Sequence, residues 1–209
     1  GKERKMSERL YEKLRDYADS GVIPMHMPGH KRNYSRFPWL RNIDLSLDIT
    51  ETADFDNLND PEDLFLELNG RLAAIRRADR SFALVNGSTC GILAGVKLAV
   101  PSGGKLLISR FSHKSLYSAS EICGARLNYL VPSFITGTEI PGRITPESVE
   151  AALERNPDTS LVAITSPTYE GVISDVESIA RVSHNYGIPL MVDAAHGAHL
   201  GFGGFSKCA

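Results

Sequence analysis

The sequence predicts an α/β domain: a mostly parallel sheet with helices on both faces. Three observations lead there. From residue 81 onward, short aliphatic and β-branched runs alternate with segments of helical period, which is the pattern of strands buried on both sides and joined by crossover helices. Four of the runs end in a small polar cluster, as expected where ligands gather at the carboxyl ends of parallel strands. At 209 residues, 42% hydrophobic and 23% charged, the chain is long enough for one well-filled core.

The elements follow in order. SERLYEKLRDYADS places Leu10, Leu14 and Tyr17 at helical spacing, predicting an amphipathic helix over 7–20. GVIPMHMPGHKRNYSRFPW carries three prolines and two glycines and reads as an extended, irregular arm. In the acidic stretch DITETADFDNLNDPED, Asp60 is placed to cap a helix with Pro61 at its first position, running to about Arg77. SFALV is expected as a strand, followed by a Gly/Ala-rich helix from about Ser88. KLLIS leads to a helix near 113–123, and RLNYLV to a loop. Thr145 and Pro146 open a helix that returns to SLVAIT, Asp175 caps the next one, and IPLMVD is the last strand. The domain expectation is a helix and extended arm over 1–45, then a partial large domain over 46–209.

Net charge of −2 gives no general electrostatic case for nucleic acid or a membrane surface. Cys90, Cys123 and Cys208 show no CxxC spacing, so neither a disulfide framework nor a zinc knuckle is expected, and a reduced, cytoplasmic setting fits. GKERKMSERLYEK lacks the apolar core of a signal peptide, and no run is long enough to span a bilayer.

Four polar clusters follow the expected strands: NGSTCG, SRFSHKS, SPTYEG and DAAHGAH. All four should face one crevice. In NGSTCG, Gly87, Ser88 and Thr89 open a helix whose free N–H groups and hydroxyls suit a phosphate. Capping of the helix by Ser88 or Thr89 is the alternative. The glycine spacing is neither GxGxxG nor GxxxxGK[ST], which weakens a dinucleotide or nucleotide reading. His113 is placed to stack on a flat heteroaromatic ligand or to move a proton, or else to bond backbone at a helix start.

Asp193 ends an apolar strand, and a carboxylate there is costly to desolvate unless it meets a cation or several donors. A protonated pyridine nitrogen is such a cation, and holding it protonated makes pyridoxal 5'-phosphate an effective electron sink. His196 is then placed to bond Asp193 or to approach the ring; capping of the following turn by Asp193 is the competing reading. Metal binding is not expected. Asp193, His196 and His199 share a three-residue spacing, but no further Asp, Glu or Cys stands close to His199, and Pro28 and Gly29 interrupt any helix aligning His26 with His30.

Taken together, MHMPGHKRN, DITETADFDNLNDPED, VNGSTCG, SRFSHKS, ITSPTYEGVISD and VDAAHGAHLGF resemble, in the same order, the Orn/Lys/Arg decarboxylase family. The resemblance runs from about Ile23 onward. It implies the incomplete large domain of a pyridoxal-phosphate-dependent enzyme of aspartate-aminotransferase-like fold. It also implies site roles: Gly87, Ser88 and Thr89 at the cofactor phosphate, His113 on the pyridine face, Asp193 at the ring nitrogen, and His196 beside the ring near the substrate. His113 and His196 are the catalytic candidates. The implied reaction is decarboxylation of arginine, lysine or ornithine to a polyamine or its precursor, in a homodimer whose interface the 26–31 arm and the 54–60 acidic segment help to form.

One part of the pattern is missing. The family carries its cofactor on a lysine in an S-x-HK motif beyond the ring-pairing aspartate, whereas Lys207, in FSKCA, is the only lysine after Asp193. Lys207 is not assigned that role. The expectation is therefore the N-terminal portion of a longer enzyme, a truncated product or one piece of a cleaved chain, which by itself should not turn over amino acids. Alternatives are another enzyme of the same fold (aminotransferase, aldolase or lyase), an inactive relative that serves as a binding partner, and a metal hydrolase built on Asp193, His196 and His199.

Overall fold

The structure is a computed structural model that describes residues 9–52, 55–202 and 204. Ser7, Asp54, Lys207 and Cys208, which figure in the sequence reading, lie outside the described residues. The chain divides into two compact units, Gly1–Ala83 and Leu84–Ala209.

In the first unit, α1 (Arg9–Asp19) forms where the spacing predicts it, with Leu10, Leu14 and Tyr17 half-buried. The arm that follows has neither helix nor strand until two 3-10 turns, Pro38–Asn42 and Leu45–Leu47. Side-chain hydrogen bonds tie it down instead: the Arg32 guanidinium donates to the Ser46 carbonyl at 3.1 Å, and the Tyr34 hydroxyl accepts the Leu45 N–H at 2.9 Å. Both ring nitrogens of His30 are engaged, Nδ1 by the Arg32 N–H at 3.0 Å and Nε2 by Asp48 at 3.3 Å.

The second helix corrects the sequence reading. α2 spans Leu64–Arg76 and starts after Asp63, so Asp60 is not its cap and Pro61 is not its first residue. Asp56 takes over the work. Its carboxylate accepts the N–H groups of Glu62 (3.0 Å), Asp63 (3.1 Å) and Phe65 (2.7 Å), satisfying backbone donors at the helix entrance from seven residues upstream. A side chain reaching back from so far leaves no signal at cap spacing in the sequence.

The second unit alternates helix and strand: α3 (Gly87–Ala99), β1 (Lys105–Ser109), α4 (Lys114–Cys123), β2 (Arg126–Leu130), α5 (Pro146–Arg155), β3 (Thr159–Thr165), α6 (Val176–Asn185) and β4 (Leu190–Asp193). The described strands form one parallel sheet in the order β2-β1-β3-β4. Thr145 opens α5 with a capping box closed by Ser148, and Asp175 caps α6 by accepting the Ser178 N–H at 3.0 Å, both as the sequence predicts. The expected strand SFALV is not one. Residues 81–84 lack regular structure because no described strand offers them a ladder, and a strand cannot exist without one.

Alternation along the strands divides the core in two. Leu106, Ile108, Leu161 and Ala163 face α3 and α4, meeting Ile92, Val96, Leu116 and Ala119. Leu107, Val162 and Ile164 face the other way, toward Val149, Leu153 and Ile179 of α5 and α6. This places helices on both faces, as a parallel sheet requires.

Backbone donation, led by the Glu62 N–H, pulls the Asp56 carboxyl down to about 2. Because the folded value lies below the unfolded one, this support is complete above about pH 4 and is lost as pH falls through about 2. Asp56→Asn should lower Tm at neutral pH and shrink its decline on acidification, read by thermal melts between pH 2 and 7; identical melts for both proteins would refute this.

Candidate active site

Every strand of a parallel sheet ends at the same edge, and a helix that precedes a strand begins there. α3 leads into β1 through residues 100–104, so its N-terminus lies at the carboxyl edge, and so does the start of α4, which leaves β1 there. The face is fixed as well. Met191 packs into the core beneath α3 and α4, while Leu190 and Val192 pack into the opposite one, so Asp193, two residues beyond Met191, points to the α3 side.

Glycine sets how closely helix and strand approach. A Cβ on Gly95 would stand 2.4 Å from Met191 Cε, so α3 lies directly over β4. From that contact Asp193 is about 6.6 Å along the strand, and Ser88 about 10 Å along the helix. The first turn of α3 and Asp193 therefore both lie on the carboxyl-edge side of that contact.

Gly87, Ser88 and Thr89, which the sequence reading places at a phosphate, open α3. Gly87 begins α3 at φ +67°, a conformation that glycine adopts without strain, with open space where a Cβ would stand. Asn86 is the cap residue but makes no side-chain cap bond, so neither it nor Ser88 or Thr89 closes the helix as an N-cap, and Ser88 and Thr89 stand exposed within the first turn. The first amides of α3 thus have no side-chain cap.

Asp193 is 7% exposed. Its Oδ1 accepts the Ala195 N–H at 3.1 Å, its backbone carbonyl accepts the Ser166 N–H at 3.0 Å, and no described lysine or arginine pairs with it. The turn-capping bond weighed in the sequence reading is therefore present and uses one oxygen only. A buried carboxylate holding one N–H is still short of charge compensation.

His113 caps α4, its Nδ1 facing the Ser115 hydroxyl at 2.9 Å and the Ser115 N–H at 3.3 Å. This bond anchors the imidazole at the start of α4, and the residue is exposed there. His196 is exposed and meets Tyr169 edge to face, with ring centroids 5.6 Å apart at 86°. That contact joins two of the four clusters. Between Ser88, His113 and Asp193 there is no direct bond; what they share is one edge and, for α3, α4 and Asp193, one face. The sequence reading missed Thr165, whose buried hydroxyl is without a partner on the strand beside Asp193. As the last residue of a β-branched run it reads as core, and only the register reveals its neighbour. A cavity of about 620 Å³ between the starts of α5 and α6, lined by Arg143, Thr145, Asp175 and Arg181, lies on the opposite face and is built of helix caps.

The arrangement defines a class: a parallel α/β protein with helices on both faces and a buried carboxylate at the carboxyl end of a strand. The chain belongs to the Orn/Lys/Arg decarboxylase family, whose major-domain model matches residues 8–209. It is 34% identical over 198 residues to the Bacillus subtilis protein YaaO, covering 93% of this chain and 41% of that one. It is 32% identical over 197 residues to a Bacillus cereus arginine decarboxylase, covering 92% and 43%. The Escherichia coli constitutive lysine decarboxylase structure shares the fold, with a TM-score of 0.68 at 21% identity over 90% of this chain and 28% of that one. The chain thus spans well under half the length of these relatives.

Where the loop after β3 meets the turn after β4, a methyl on Gly197 would stand 2.6 Å from Pro167 Cδ, a ring atom with little freedom to move. Gly197→Ala should cost about 1–3 kcal/mol of stability, measured by denaturant unfolding; an unchanged midpoint would show that the turn yields freely.

Proposed function

We propose that this chain forms the cofactor-holding part of a pyridoxal-phosphate-dependent decarboxylase of a basic amino acid, with arginine as the first candidate. The observation that carries the reading is a buried carboxylate with no described lysine or arginine partner, Asp193, on the face of the sheet that α3 covers, α3 itself beginning without a side-chain cap. The residues present fit such a cofactor: one end of the site suits a phosphate dianion, the other a ring cation, and His113 stands at the same edge. Family membership and the Bacillus arginine decarboxylases among the relatives support both the reaction and the substrate.

When bound, the group supplies an electron sink for the bond to the departing carboxylate. The protein's part is positional and electrostatic. The first-turn amides of α3, with the Ser88 and Thr89 hydroxyls, would hold the phosphate. Asp193, itself buried, would keep a proton on the ring nitrogen, stabilised by their opposite charges. His113, anchored by Ser115, would stack on the ring, and His196, set against Tyr169, would line the substrate side. The acidic segment near Asp56 and the arm at 26–31 belong, in this reading, to a homodimer interface. A cytoplasmic setting is part of this reading, in keeping with cysteines that lack disulfide-framework spacing.

The test uses the longest polypeptide that carries this chain, supplied with pyridoxal phosphate and offered arginine, lysine and ornithine in turn. Release of CO₂ with formation of the amine is expected; formation of a keto acid without CO₂ would replace decarboxylation by transamination. Asp193→Ala should reduce turnover about a hundredfold, the value of a charged hydrogen bond, and undiminished activity would remove Asp193 from the mechanism.

A further inference from the structure

We propose that Thr165 is a positioning residue for Asp193, its hydroxyl donating to the carboxylate oxygen that the protein backbone leaves free. The inference rests on the cofactor reading above and adds a residue to that site. Thr165 and Asp193 are register partners at the last rung of the parallel β3–β4 ladder. Partners in register project to the same face, and neighbouring strands lie about 4.8 Å apart. Leu161 and Ala163 fix that face for Thr165 as the α3 side, the side to which Asp193 also points.

Two unmet needs stand side by side there. Thr165 Oγ1 is buried and has no hydrogen-bond partner. Asp193 Oδ1 is taken by the Ala195 N–H, and Oδ2 accepts nothing from the described residues. A buried hydroxyl without a partner is uncommon in native proteins and calls for an explanation. Rotation about the Thr165 χ1 bond swings the donor toward its register partner, and the resulting bond to an ionised acceptor belongs to the stronger class. It would fix the orientation of the carboxylate that faces the ring nitrogen in this reading. The same packing would tolerate valine at 165, which has threonine's shape without its donor.

The experiment compares the full-length protein with Thr165→Val, Thr165→Ser and Asp193→Asn, alone and combined, by titration with pyridoxal phosphate, by the visible absorption of the bound cofactor and by Tm. Thr165→Val should weaken cofactor binding about tenfold and alter the visible band, with Tm close to that of the parent. Thr165→Ser should restore binding to within about twofold, because it restores the donor. In the Asp193→Asn background the Thr165→Val effect should largely vanish, since the two residues act as one unit. Parental binding by Thr165→Val overturns the proposal, as does equal loss in Thr165→Ser or a Thr165→Val effect that persists in full alongside Asp193→Asn. A parent protein that takes up no pyridoxal phosphate overturns the functional reading and this role with it, a result separate from binding that is indifferent to residue 165.

Discussion

The site depends on the last rung of one ladder, where β3 and β4 run parallel and Asp193 is held in register with Thr165. A carboxylate at the end of an apolar strand is under two opposed demands. The strand must stay buried to hold the sheet together, yet the charge loses solvation by several kcal/mol unless something replaces water. Within the described residues one backbone N–H meets part of that demand. The remainder of the demand is unmet by the described residues, and the start of α3, which has no side-chain cap, lies toward the same edge of the sheet.

Helix polarity and strand alternation supply the rest of the geometry. Parallel strands force every crossover helix to begin at the carboxyl edge, so the positive ends of α3 and α4 gather there without any special sequence. Alternation then sorts the side chains by face. Met191 belongs to the core beneath α3, which sends Asp193 to the same side, whereas Leu190 and Val192 supply the core on the other. Gly95 sets the helix against the strand, with a Cβ there meeting Met191 Cε.

Most of the second unit was legible because its signals are local. KLLIS, SLVAIT and IPLMVD are apolar runs bounded by turn residues, and Thr145 with Ser148 and Asp175 with Ser178 are caps closed within three residues. The errors came where a partner is distant in sequence. Residues 81–85 have a strand's composition, but strand formation belongs to a pair, and no described strand pairs with them. Asp60 has the right residue type at the right spacing for a cap, yet Asp56 satisfies those donors through three bonds, one of them to a residue nine positions away.

The sequence by itself determined the class of fold, the order of its elements and the candidate groups Ser88, Thr89, His113, Asp193 and His196, because periodicity, capping and charge at a strand end are written in neighbouring residues. The tertiary structure decided which of them share a face, that His196 meets Tyr169, and that Thr165 is the register partner of Asp193. Those relations come from register between strands 28 residues apart, and register is set by the packing of two helical layers, which no local stretch of chain encodes.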